Sequence, residues 1–79
     1  MTNIDTAFGR ALLVQAHDLL RKHFPKLKNV HMLGWTYKIS DSHFEFHYKD
    51  FYWHGNAGNA YEARYHGWLA WMKKQGIEV

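Results

Sequence analysis

Residues 33–54 read LGWTYKISDSHFEFHYKDFYWH, and this stretch decides the fold. Taken as three short strands, it puts Leu33, Trp35, Tyr37 and Ile39, then Phe44, Phe46 and Tyr48, then Phe51 and Trp53 on one face. Thr36, Lys38, His43, Glu45, His47, Tyr52 and His54 fall on the other. Side chains alternate along a strand with a period of two, so a slip of one residue would turn a whole apolar set into water. Ser40, Asp41 and Ser42 supply a polar first turn. Lys49-Asp50 is a tighter second turn without the glycine such loops favour, and it pairs Tyr48 with Phe51 and Phe46 with Trp53. The expected polar rows are Lys38, Glu45 and His54, then Thr36, His47 and Tyr52, with His43 at the end of the middle strand.

Working outward, Val30 to Ser40 is expected to form the whole first strand. Upstream, Ile4, Phe8, Leu12, Ala16, Leu19, Leu20 and Phe24 recur near the helical period, with Asp5, Arg10, His17, Asp18 and Arg21 opposite. Thr2 or Asn3 can cap this helix, Pro25 ends it by Phe24, and residues 26–29 connect it to the strands. Downstream of the link at Gly55 to Gly58, Asn59 with Glu62 forms a capping box for a second helix that Gly76 ends. Tyr61, Tyr65, Trp68 and Met72 make its core stripe. Ala60, Ala63, Gly67 and Ala70 make a narrow flank that lets another backbone come close, expected to be the first helix. The fold class is α+β, α-β-β-β-α, a three-stranded antiparallel meander with both helices on one face, in one domain over 1–79.

At 79 residues the chain is near the lower limit for a single self-sufficient core. Five Phe, five Tyr and four Trp supply the missing mass as large buried rings. There is no cysteine, which excludes disulfides and thiolate metal sites and fits a reducing, cytoplasmic setting. The expectation is a soluble chain, with no run apolar enough for a membrane and no secretory pattern in Met-Thr-Asn-Ile-Asp. Ten Lys and Arg against seven Asp and Glu give +3, and seven His add charge as pH falls toward 6. Acidic partners are favoured by that balance.

The polar face brings titratable groups within mutual reach, because neighbours along a strand lie about 7 Å apart and cross-strand neighbours about 5 Å. An open sheet face is usually polar without further purpose. A metal could use only Glu45, His47 and His54, since His43 and His47 lie about 13 Å apart on an extended strand. No second carboxylate supports such a site, and no cofactor is implied. Acid–base cleavage of RNA needs a base, an acid and a cation, which His47, His54, Glu45 and Lys38 provide.

Ser42-His43 opening the second strand, and Lys-Lys-Gln-Gly-Ile near the end, resemble the HicA family of small toxin ribonucleases. That resemblance implies an α-β-β-β-α fold and a catalytic role for His43, although Asp41 stands where the family has glycine. The phrase Asn-Ala-Tyr-Glu-Ala-Arg-Tyr-His-Gly-Trp-Leu-Ala-Trp, after a short aromatic strand, resembles small phage and prophage accessory proteins, anti-CRISPR proteins among them. It implies a single-domain binder that blocks or redirects a host machine.

Arg21, Lys22, Lys26 and Lys28, with His23, gather at the end of the first helix, where they suit either phosphate or the helix dipole. Tyr52 is the one open-face aromatic on which a base could stack. The expected function is therefore non-enzymatic: binding of RNA, DNA or a host nucleoprotein complex. The contact residues are Lys38, Glu45, His47, Tyr52 and His54 on the sheet, with Arg21, Lys22, Lys26 and Lys28 at its rim. The alternatives are a metal-independent ribonuclease and an obligate homodimer that buries the open face.

Overall fold

The structure, a computed structural model, describes the backbone of residues 3–79 and the side chains from Thr6 onward. The expected capping by Thr2 or Asn3, and the sides on which Ile4 and Asp5 lie, fall outside the described residues. Helix α1 (Asn3–His23) leads through a 3-10 turn (Val30–Met32) into β1 (Trp35–Lys38), β2 (His43–Tyr48), β3 (Phe51–Asn56) and helix α2 (Ala60–Lys74). The strands form one antiparallel sheet in the order β1-β2-β3. Among the described residues no helix is long and apolar enough to cross a membrane.

Helix α1 ends just ahead of Pro25, and the Phe24 amide still donates to the Leu20 carbonyl at 2.7 Å. Its buried positions are Leu13, Ala16, His17 and Leu20, spaced as one helical face. The expected stripe is thus rotated: Phe8 is exposed, and His17, expected on the polar side, is only 8% exposed. The reason lies one residue on. A β-carbon at Gly9 would stand 2.6 Å from Asn59 Oδ1 and 3.2 Å from Tyr61 Cβ, so α1 meets the start of α2 through Gly9 and Phe8 is left to the side.

Helix α2 begins as its sequence predicts. Asn59 Oδ1 accepts from the Glu62 amide at 2.9 Å, and Glu62 reaches back to the Gly58 amide at 2.8 Å. It ends at Gly76, with the Ile77 amide on the Met72 carbonyl and the Gly76 amide on that of Lys73. The small flank corrects the expectation about what it packs against. A β-carbon at Gly67 would lie 2.3 Å from Phe46 Cγ, so the close approach is to the sheet and not to α1. Helix α2 consequently lies against all three strands, while α1 runs along α2 and the 3-10 turn on the same side. The core forms between them from Leu13, Ala16, Leu20, Val30, Phe46, Tyr48, Trp68 and Met72. Trp68 is its centre, with ring centroids 5.1 Å from Phe46 and 4.9 Å from Tyr48.

Strands β2 and β3 keep the expected register, Tyr48 opposite Phe51 and Phe46 opposite Trp53. Their two-residue link places Lys49 at φ +53, a left-handed conformation that costs a side-chain-bearing residue about 1 kcal/mol. Strand β1 corrects the sequence reading twice. Residues 30–32 form the 3-10 turn, so the strand starts only at Trp35. Its register is also shifted by one: Lys38 pairs with Phe44 and Thr36 with Phe46, where Glu45 and His47 were expected.

The cause is a β-bulge. Ser40 and His43 close the first turn as expected, but the amides of both Ile39 and Ser40 donate to the His43 carbonyl, at 2.8 and 3.2 Å. Two residues then oppose one, and every residue upstream exchanges faces. At the other end Gly34, at φ +80, lies where a β-carbon would be 2.7 Å from the Phe46 ring. Trp35, Tyr37 and Ile39, expected inside, are exposed on the open face. Thr36 turns inward and leaves its hydroxyl oxygen without a hydrogen-bond partner.

Candidate binding face

The face not covered by the helices is built by strand alternation. With β1 shifted, one row across the sheet is Trp35, His47 and Tyr52, and the next is Tyr37, Glu45 and His54. The expected rows therefore hold in β2 and β3, while Tyr37 and Trp35 replace Lys38 and Thr36. Trp35 is 60% exposed, Tyr37 52% and Tyr52 48%. Tyr52 is thus not the one open-face aromatic. The rings adjoin: Tyr37 to His47 at 5.5 Å between centroids, His47 to Tyr52 at 4.9 Å, Tyr52 to His54 at 5.6 Å and His54 to His43 at 5.2 Å. A nearly continuous pavement of tilted rings results.

One carboxylate is set in it. Glu45 lies 3.0 Å from His47 Nε2 through one oxygen and accepts from the Tyr52 hydroxyl at 3.0 Å through the other. Those two bonds, His47 first, hold its carboxyl below the ordinary range. Tyr52 is raised, by loss of solvation first and then by its bond to Glu45. The expected meeting of Glu45, His47 and His54 is divided, because His54 Nδ1 lies 3.2 Å from His43 Nε2 instead. Only one of those facing nitrogens can carry the bridging proton. Among the described residues no group of three or more His, Asp or Glu is placed to hold a metal ion.

The basic residues divide as well. Lys38 shares its side of the sheet with Phe44, so it stands at the outer edge of β1 on the helix side and leaves the open face. Arg21 pairs with Asp18 at 3.2 Å, both exposed. Lys22, Lys26 and Lys28 are exposed along the end of α1 and the connector. The connector leads through the 3-10 turn directly into Trp35, at the end of the sheet that also carries His47, Tyr52 and the Lys49 turn. The row richest in rings thus adjoins the most basic edge.

Behind the sheet lie two residues to which the sequence assigned no role at the site. Arg64, on α2, donates to the carbonyls of Gly34 at 3.0 Å, Val30 and His31 at 3.3 Å, and Leu33. It clamps the entry to β1 onto α2, and its burial lowers its pKa. His17 lies nearby with Nε2 unpartnered, its pKa lowered to about 4 by burial first and then by Arg64, Arg21 and His31. Neither residue carries a periodic signal. The exposed rings had one: Gly34 inside an apparent strand marks a bulge or a close approach.

No family model matches the chain, and neither a curated protein nor a solved structure matches it significantly.

Proposed function

We propose that this protein is a non-enzymatic binding module that engages single-stranded nucleic acid, free or within a host nucleoprotein complex, through its open sheet face. The observation that carries the reading is the exposed run of rings from Trp35 and Tyr37 across His47 to Tyr52, with a basic edge at its Trp35 end. Exposed aromatic rings on a sheet suit splayed bases, which stack on them, and cannot reach the stacked interior of a duplex. Lys22, Lys26, Lys28 and Lys49 supply phosphate contacts along the adjoining edge. Glu45, held ionised, offers an acceptor to the amino groups of a stacked base. A phage-borne inhibitor acting in a reducing cytoplasm is the setting that fits the absence of cysteine and the resemblance to phage accessory proteins.

The test is an anisotropy titration with a twelve-nucleotide oligo(U) and oligo(dT), each also offered as a duplex. Single strands bind, with affinity falling steeply as salt rises, and Trp35→Ala or Tyr52→Ala weakens binding by about tenfold or more. A flat salt response, or equal binding of the duplex, overturns the reading.

One observation favours a ribonuclease as the second reading: the hydrogen-bonded imidazoles of His43 and His54 on the same face. RNA cleavage that is lost in His43→Ala and His54→Ala supports it; RNA left equally intact by parent and variants eliminates it. Sedimentation as a dimer at micromolar concentration, with the rings protected, would instead give the face to a second copy.

A further inference from the structure

A second feature lies on the helix side of the sheet, where the end of α1 and the connector meet the β2–β3 turn and α2. A cavity of about 390 Å³ opens there, walled by Phe24, Pro25, Leu27, Tyr48 and Trp71. The corner is rigid. Trp71 is braced by Phe24 at 4.8 Å and 53° and by Tyr48 at 5.5 Å and 84°, and Pro25 fixes the backbone beside Phe24. His23, Lys26 and Lys49 form the rim, and among the described residues no acidic one lines the cavity. Lys49 Nζ stands 5.4 Å from the Tyr48 ring centre, above the wall itself. The ion pairs seen among the described residues, Arg21 with Asp18 and His47 with Glu45, lie elsewhere. Among the described residues no ion pair neutralises the rim charge.

We propose that this cavity is a docking site for an acidic peptide segment of a partner protein, which seats one bulky apolar side chain against Phe24, Leu27 and Trp71 while flanking carboxylates meet Lys26 and Lys49. The cavity is at the small end of ligand sites, sized for a single anchoring side chain. Its walls present only two side-chain hydrogen-bonding groups, the Tyr48 hydroxyl and the Trp71 indole N–H. A nucleobase would leave its polar edge unsatisfied there, whereas a hydrocarbon ring would not. The cationic rim then selects among apolar segments by the charge of their flanks. This inference rests on a different cavity but shares Lys26 and Lys49 with the sheet-face reading, so a partner held here leaves the ring pavement uncovered while competing for those two lysines.

The probe is the peptide acetyl-Glu-Asp-Phe-Glu-Asp-amide, titrated into the full chain and followed by amide and indole NMR shifts. The expected result is saturable movement of the Trp71 indole and of the amides of residues 24–27 and 48–49. Affinity should be about tenfold weaker for the peptide with Ser in place of Phe, and about tenfold weaker for the Lys26→Glu, Lys49→Glu double variant. Both substitutions are at exposed positions, so the variant keeps the fold that the rest of its spectrum reports. Absence of movement at millimolar peptide overturns the proposal, as does equal binding of a peptide whose acids are all replaced by Lys. So does movement of the same signals by phosphatidylglycerol vesicles alone, which would make the corner a lipid contact. The probe contains no nucleotide, so its failure leaves the oligonucleotide titration standing.

Discussion

The two hairpins share strand β2 and differ in what they do with their rings. Between β2 and β3 the two-residue turn at Lys49-Asp50 keeps the pairs in step, and Phe46, Tyr48, Phe51 and Trp53 all pack with the core. Between β1 and β2 the bulge at Ile39 and Ser40 breaks the step, and Trp35 and Tyr37 go to solvent. One inserted residue thus converts both aromatics of β1, Trp35 and Tyr37, from structural mass into a surface. The β2–β3 hairpin thus sends its apolar rings into the core while its other face stays open, whereas β1 turns its rings to solvent and is fastened from behind by Arg64.

The comparison breaks most directly at paired substitutions on adjacent strands. Phe46→Ala, which empties a fully buried site against Trp68 and Gly67, should cost about 3–5 kcal/mol in denaturant unfolding. Tyr37→Ala should cost less than about 1 kcal/mol while weakening oligonucleotide binding. Equal costs would return β1 to the core. Arg64→Met should come next, at about 2–3 kcal/mol, since it takes the guanidinium donor from the carbonyls of His31, Leu33 and Gly34. Hydrogen exchange should then show β1 amides losing protection before those of β3.

Acid should act on the same junction. His17 is buried and neutral when folded, with a pKa of about 4 against about 6.5 when unfolded, and it faces Arg64 from α2, His31 from the 3-10 turn, and Arg21 and Asp18 from its own helix. Between those values the unfolded chain binds the extra proton. Stability is therefore full above about pH 6.5 and falls by on the order of 2 kcal/mol toward pH 4. His17→Leu should flatten that slope in unfolding curves taken across the window. Undiminished slope in the variant would place the titrating group elsewhere.

Two smaller effects sharpen the contrast. Deleting Ile39 removes the extra residue and leaves Ser40–His43 and Lys38–Phe44 as consecutive rungs, so the fold should survive with a loss below about 1 kcal/mol. NMR contacts between Tyr37 and His47 should persist. If β1 instead ran without a bulge, the same deletion would flip its rings outward and unfold the chain. Lys49→Gly relieves the left-handed φ of the other turn and should raise stability by roughly 0.5 kcal/mol.

Much of this was legible in the residues. Pro25 ended α1, Asn59 and Glu62 started α2, and strict alternation in His43 to Tyr48 and in Phe51 to His54 put Glu45, His47, Tyr52 and His54 on the open face. What escaped were features with no local signature. His17 is one histidine on a helix whose apolar stripe can be drawn two ways, and Arg64 is one cation among ten. Their meeting depends on how α1 lies along α2. Lys38 and Trp35 exchanged faces for a different reason: the alternation of β1 is sound in itself, but its alignment to β2 is set by the bulge.

By itself, then, the sequence determined the order of the elements, the β2–β3 register and one polar sheet face, because caps, proline and period-two alternation act over a few neighbouring residues. The tertiary structure alone decided which face β1 presents. Beneath the sheet Phe44, Phe46, Tyr48, Trp53 and Trp68 already fill the space that α2 leaves, and Gly34 and Thr36 are small enough to sit on Phe46 where Trp35 or Tyr37 would overfill it. A close-packed interior has no room for a second layer of rings, and the surplus became the exposed rings of the open face.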